Sequence, residues 1–155
     1  MKIKISHLSK SYDGTPVLND LNLELDERQP WCLMSPSGSG KTTLLRLLLG
    51  LEQPDHGEIC FLENETVLKQ PPRFSAVFQE NRLCEAFSPT ENLVLGAQKG
   101  ISRQELRREL SLLLPEDCLD RPVYTFSGGM KRRVAICRAM TAPSRIVVMD
   151  EPFTG

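Results

Sequence analysis

The sequence has no long apolar run. Its longest, Leu44 to Leu51, is broken by Arg46 and Gly50, far short of the ~20 apolar residues that cross a bilayer, so no segment is expected to span a membrane. An excess of charge of one sign is also missing. Nineteen basic against twenty acidic side chains leave a net charge of -1, without the basic footprint that a nucleic-acid duplex or an anionic membrane surface requires, and nucleic acid is not expected as a partner. The sequence has no internal repeat and no low-complexity tract, which excludes solenoids and linker-like chains. The five cysteines (Cys32, Cys60, Cys84, Cys118, Cys137) form no C-x-x-C pair and sit in or beside apolar contexts, so they read as reduced packing thiols. Met1 to Ile5 alternates polar and apolar side chains as a strand does, and no apolar block with a cleavage site follows, so a signal peptide is not expected and the chain reads as cytosolic.

The composition itself is 40% hydrophobic, 25% charged and 6% aromatic, which excludes disorder, collagen and coiled coil. A chain of 155 residues suits one domain that buries roughly two-thirds of its unfolded surface. Ile3, Ile5 and Leu8, the Asp13-Gly14 turn, and the alternating Leu21, Leu23 and Leu25 predict a small antiparallel β layer over the first thirty residues. Trp31-Cys32-Leu33-Met34 is a short apolar run of the kind buried on both faces of a sheet, ending in Ser35-Pro36-Ser37-Gly38-Ser39-Gly40. Leucines 44, 45, 47, 48, 49 and 51 then predict a buried helix with Gly50 near its end and Pro54 beyond it.

Two further strands are expected, from Glu58 to Leu62 and from Arg73 to Gln79, the second with Phe74, Ala76 and Phe78 on one face and Gln79 at its tip. Helical signals follow. Ser88-Pro89-Thr90-Glu91 combines an N-cap serine, a proline at the first helical position and a capping-box glutamate, and Ser102 with Glu105 repeats the spacing. The segment from Gln79 to Ser127 therefore reads as a helical insert. A helix from about Gly128 to Met140 and an apolar strand Ile146-Val147-Val148-Met149 leading into Asp150-Glu151-Pro152 complete the pattern. Strand, glycine loop and helix in this order predict an α/β fold.

Three groups of residues carry chemistry. Gly38-Ser39-Gly40-Lys41-Thr42-Thr43, between a strand and a helix, is a phosphate-binding P-loop pattern. Its glycines let backbone N–H groups face phosphate, the helix N-terminus adds positive potential, Lys41 reaches the β- and γ-phosphates, and the Thr42 hydroxyl can hold Mg²⁺. The full pattern wants glycine where Ser35 stands, which predicts crowding or an unfavourable backbone angle there. Asp150, after four apolar residues, is placed to hold Mg²⁺, and Glu151 beside it to act as general base. Ser127-Gly128-Gly129 at a helix start forms a second anion site or a simple cap. The basic Lys131-Arg132-Arg133 run reads as a solvated face or a set of local pairs.

Together these three motifs, in this order, resemble the ATP-binding cassette (ABC) ATPases, and the resemblance extends from Tyr12 to Pro152. It implies a P-loop NTPase of the ABC type: a parallel core sheet around the P-loop helix, an N-terminal antiparallel β layer and a helical insert, incomplete at the C-terminus. Within a single domain it implies a β layer over 1–30, a P-loop core over 31–79, a helical insert ending in the signature helix over 80–140, and the Asp-Glu strand with the start of an interface loop over 141–155. By motif match, Tyr12 resembles the aromatic that stacks on adenine, with a core tyrosine as the alternative. Ser37 to Thr43 would hold the nucleotide, and Thr42, Gln79 and Asp150 the Mg²⁺. Gln79 and Glu151 would attend the attacking water, and Ser127, Gly128 and Gly129 would contact the γ-phosphate of ATP on a partner subunit, Met130 replacing the usual glutamine.

The resemblance further implies a homodimer or pseudo-dimer of ATPase domains, transmembrane permease subunits and a solute-binding protein as partners. It places the chain on the inner face of the cell membrane, and Val77 to Leu83 with the short insert resembles importers for nitrate, sulfonates and taurine. A soluble ABC ATPase acting on DNA or ribosomes, a P-loop kinase or GTPase, and a nucleotide-binding fragment without turnover are the alternatives. His7 and His56 both precede the Asp-Glu strand, so neither fits the family's switch histidine. The chain is expected to be a truncation lacking the strand between the Asp-Glu strand and the P-loop strand, and to be marginally stable and silent by itself.

Overall fold

A computed structural model describes residues 1–152, and the chain divides into two compact units, Met1–Pro72 and Arg73 onward. The first is an antiparallel layer with one helix. β1 (Lys2–Tyr12) pairs with β2 (Thr15–Asp26) and, on its other side, with β3 (His56–Glu63), while the two-residue β4 (Thr66–Val67) closes the order β2-β1-β3-β4. At the start of β1 the alternate residues face inward: Ile3 lies between Leu25 and Phe61, and Ile5 between Leu23 and Ile59. That alternation buries Ile3 and Ile5 and leaves Lys4 at the surface, and a register shift after Ile5 turns Leu8 rather than His7 inward,.

Helix α1 (Lys41–Leu48) buries Leu44, Leu47 and Leu48, the i, i+3, i+4 face of an amphipathic helix,. Arg46 and Leu51 are exposed, so the expected all-round burial does not occur. Gly50, at φ 67, ends the helix in the left-handed conformation, with its N–H bonded to the Leu47 carbonyl and that of Leu51 to Arg46,.

The second unit begins with β5 (Phe74–Val77), paired in parallel with β6 (Ile146–Met149). Between them lie α2 (Pro89–Val94), α3 (Arg103–Ser111), two single 3-10 turns at Glu116–Cys118 and Val123–Thr125, and α4 (Gly128–Thr141). One core of Leu93, Leu106, Leu110, Leu119, Val123 and Val134, with their neighbours, joins the helices. A smaller one packs Ala135 and Ala139 of α4 on Val77 of β5. The small side chains let the helix lie close to the strand.

Several expectations are corrected. Trp31–Met34 forms no strand; Trp31, Leu33 and Met34 are exposed, Met34 by 86%. A strand exists only through a neighbour's ladder, and among the described residues none runs beside this segment. β5 stops at Val77, two residues before Gln79, and it buries Ser75 and Val77 rather than the Phe74, Ala76, Phe78 face. Cys118 and Cys137 are buried as packing thiols should be, but Cys32 and Cys84 are exposed. The interface-loop residues Phe153, Thr154 and Gly155 lie outside the described residues.

Both capping boxes form. The Ser88 and Ser102 hydroxyls accept the backbone N–H of Glu91 and Glu105, whose carboxylates accept the Ser88 N–H at 2.9 Å and the Ser102 N–H at 2.7 Å. These bonds hold both carboxyl pKa values below their ordinary level. A depressed folded-state pKa gives stability that is complete above the unfolded value of ~4.3 and is lost as the pH falls through the folded value. The melting temperature of the full-length protein should therefore stay level down to roughly pH 5 and then fall. A Glu91→Gln, Glu105→Gln double variant should lower the neutral-pH value and flatten the acid limb.

Candidate functional site

In the first unit, the chain from Ser35 to Thr43 wraps into a loop over the start of α1. Gly38 and Gly40 have φ of 80 and 91, conformations glycine adopts without penalty. At Gly38 a Cβ would meet nothing within 4 Å, so only the backbone angle requires glycine. At Gly40 it would lie 2.9 Å from Leu18 Cδ2 and 3.0 Å from the Val17 carbonyl oxygen, so close approach to β2 also excludes a side chain. The Lys41 ammonium donates to the carbonyl oxygens of Ser35 at 2.7 Å and Pro36 at 2.9 Å, which straps it across the loop.

No side chain caps α1, and no acidic residue occupies its first turn. The donor set of backbone N–H groups, one ammonium and the hydroxyls of Ser37, Ser39, Thr42 and Thr43 thus fits an anion at a positive helix end. The expected crowding at Ser35 does not arise. It is not among the residues at positive φ, and its hydroxyl is hydrogen-bonded to that of Ser39.

Tyr12, at the end of β1, is 40% exposed, so the core-tyrosine alternative fails. Its hydroxyl donates to the Glu52 carboxylate, itself paired with Arg46 at 3.1 Å. That carboxylate raises the phenol pKa, and a hydrogen bond with Thr43 acts in the opposite sense. Tyr12 is thereby fixed beside the first turn of α1. The Lys10 ammonium stands 5.6 Å from the ring centroid.

In the second unit, β5 and β6 lead into two adjacent loops. The Asp150 N–H donates to the Val77 carbonyl at 2.8 Å, extending the parallel ladder by one bond. Asp150 is buried, and Glu151 and Gln79 are exposed. Glu151 has φ 46 and Arg82, in the other loop, φ 47, an uncommon state for residues with a side chain.

Helix α4 holds both loops. The Arg132 guanidinium donates to the carbonyl oxygens of Asp150 at 2.8 Å, Glu151 at 2.6 Å and Pro152 at 3.0 Å. It also donates to Phe78 and, at 3.4 Å, to Gln79. Arg138, whose pKa burial pushes down, donates to the carbonyls of Arg82 at 2.9 Å and Asn81 at 3.3 Å. Lys131 pairs with Glu85 at 2.8 Å.

At the start of this helix the Ser127 hydroxyl accepts the Met130 N–H at 3.3 Å. Ser127, Gly128 and Gly129 are exposed, and a Cβ on either glycine would meet nothing within 4 Å. Met130 points away and packs against the helical core, so its departure from glutamine leaves the glycine edge open.

The structure thus brings Tyr12 together with Ser37 to Thr43, and Gln79 together with Asp150, Glu151 and the helix of Ser127 to Gly129. The reading of Lys131-Arg132-Arg133 as a solvated face or local pairs holds for Lys131 but not for Arg132, which is only 8% exposed. The available signal was its register: Arg132 shares the i, i+3, i+7 face of α4 with the buried Ala135 and Ala139,.

A family model described as ABC transporter matches residues 18–154. A spermidine/putrescine import ATP-binding protein of Legionella pneumophila is 38% identical over 99% of this chain and 44% of its own length. A sulfate/thiosulfate import ATP-binding protein of Agrobacterium fabrum is 36% identical over 99% of this chain and 47% of its own length. The chain therefore spans about half the length of the curated relatives it matches. Among solved structures, the dimeric ATP-binding cassette MJ0796 bound to ADP and Pi superposes with a TM-score of 0.77 at 27% identity, covering 97% of this chain and 74% of that one. The relatives carry polyamine and sulfate names, which corrects the expectation of nitrate, sulfonate and taurine importers. Among the described residues, no helix is long and apolar enough to cross a membrane.

Proposed function

Since the chain belongs to the ABC transporter family, we propose that it binds Mg-ATP and hydrolyses it as the ATPase subunit of an importer for small charged solutes. The observation that carries this reading is the loop at Ser35–Thr43. Two glycines in left-handed conformations and a lysine strapped over the loop's own carbonyls frame the start of a helix that has no acidic residue in its first turn. Lys41 and the N–H groups of Gly38 to Thr43 bind the phosphates. Tyr12 offers adenine an aromatic face, a contact of ~1 to 3 kcal/mol by analogy with base stacking elsewhere.

Thr42, Asp150 and Gln79 are the residues that would hold Mg²⁺, which when bound neutralises charge developing on the phosphates. Glu151 takes a proton from water as that water's oxygen bonds to the γ-phosphorus and the bond to the bridging oxygen of ADP breaks. Ser127, Gly128 and Gly129 present an open edge to the γ-phosphate held by a second ATPase domain, so turnover belongs to the dimer. The chain then sits on the inner face of the cell membrane against permease subunits, and a solute-binding protein delivers the cargo to those subunits.

The test is phosphate release from ATP by the full-length protein with and without Mg²⁺, followed by gel filtration with ATP. Mg²⁺-dependent release and an ATP-dependent dimer are expected. Release that ignores Mg²⁺, or none above background, overturns the reading.

A further inference from the structure

We infer that Arg132 is a positioning residue whose forked guanidinium sets the Gln79 loop and the Asp150–Glu151 loop at a fixed separation. The inference rests on the ATPase reading above only for what those loops do; the clamp itself is a matter of geometry. A guanidinium carries five N–H donors in a rigid plane. Here one edge faces the carbonyls of Phe78 and Gln79, the other faces those of Asp150 and Glu151, and Nε reaches Pro152. Asn81 Oδ1 lies at 3.5 Å from the first edge.

The two loops leave neighbouring parallel strands, and the last backbone bond between them is Asp150 N–H to the Val77 carbonyl. Beyond that bond the ladder ends, and Arg132 takes over the task of holding the chains together. Each loop also turns through a non-glycine residue at positive φ, Arg82 and Glu151. Such a conformation persists only where the surroundings enforce it, and Arg138 on Arg82 and Arg132 on Glu151 supply that enforcement. A lysine has comparable charge and reach but converges its donors on one point, so it cannot grip both loops at once.

In the full-length protein, Arg132→Met should lower kcat by ~10- to 100-fold, the usual effect of losing a residue that orients reacting groups. KM for ATP should change less than kcat, because Lys41 and the N–H groups proposed to bind the phosphates are untouched. Arg132→Lys should fall as far as Arg132→Met. Arg107→Gln, which removes exposed bonds to Glu116 and Asp120 in the same unit, should leave turnover unchanged. Wild-type turnover in Arg132→Lys, or equal losses in Arg132→Met and Arg107→Gln, would overturn the inference.

Hydrogen exchange decides it independently of activity. Both variants of Arg132 should speed amide exchange at 78–82 and at 149–151 together; acceleration in one segment alone, or in neither, overturns the clamp. Absence of phosphate release from the wild type would sink the ATPase reading while leaving the exchange result to judge Arg132.

Discussion

Replacing Lys41 with alanine should abolish measurable ATP binding by the full-length protein. In the structure the ammonium bonds to two carbonyls of its own loop, Ser35 at 2.7 Å and Pro36 at 2.9 Å. The substitution therefore takes away both a cation and the strap that shapes the loop. Each charge-assisted hydrogen bond contributes about 1.5 to 3 kcal/mol, so losing two contacts to phosphate oxygens weakens binding by at least ~100-fold. Titration calorimetry with Mg-ATP reads the effect directly. The helix start should survive, because Leu44 N–H to the Gly40 carbonyl and the burial of Leu44, Leu47 and Leu48 do not involve the side chain of Lys41. An unchanged affinity would remove the P-loop from the account.

Glu151→Gln should do the opposite, keeping ATP binding while turnover falls by ~10²- to 10⁴-fold, the range for loss of a general base. The change is isosteric and leaves the backbone at φ 46 with the same steric cost,. The carbonyl that Arg132 holds at 2.6 Å is untouched. The capacity to take a proton is lost. On the proposed mechanism, in which hydrolysis separates a closed dimer, this variant should collect as an ATP-bound dimer on gel filtration. A monomer with near-normal phosphate release would contradict both the general-base role and the dimeric site.

What could be read before the structure was what local chemistry dictates. The alternation at Leu21, Leu23 and Leu25 becomes β2, the serine and glutamate pairs become two capping boxes, and the glycine string becomes a loop at a helix start. Each signal spans a few residues whose side chains act on their own backbone. The misreadings concern partners distant in sequence. Trp31–Met34 has the composition of a buried strand, yet strand formation depends on a neighbour that composition does not reveal. The six leucines around α1 promise burial on every side, but a helix buries only the face that meets something, and Leu51 stays exposed. Arg132 was hidden inside a basic run because its five carbonyl acceptors come from two segments far from it in sequence.

That arginine's shorter bonds all go to main-chain oxygens, and every amino acid supplies one, proline included, as Pro152 demonstrates. The hold is therefore indifferent to spelling. Residues 78, 79, 150, 151 and 152 can exchange side chains without releasing the loops, so the scaffold and the reactive groups it carries are free to change on separate evolutionary schedules. Position 132 enjoys no such latitude, because two segments of backbone depend on one side chain that few others can imitate.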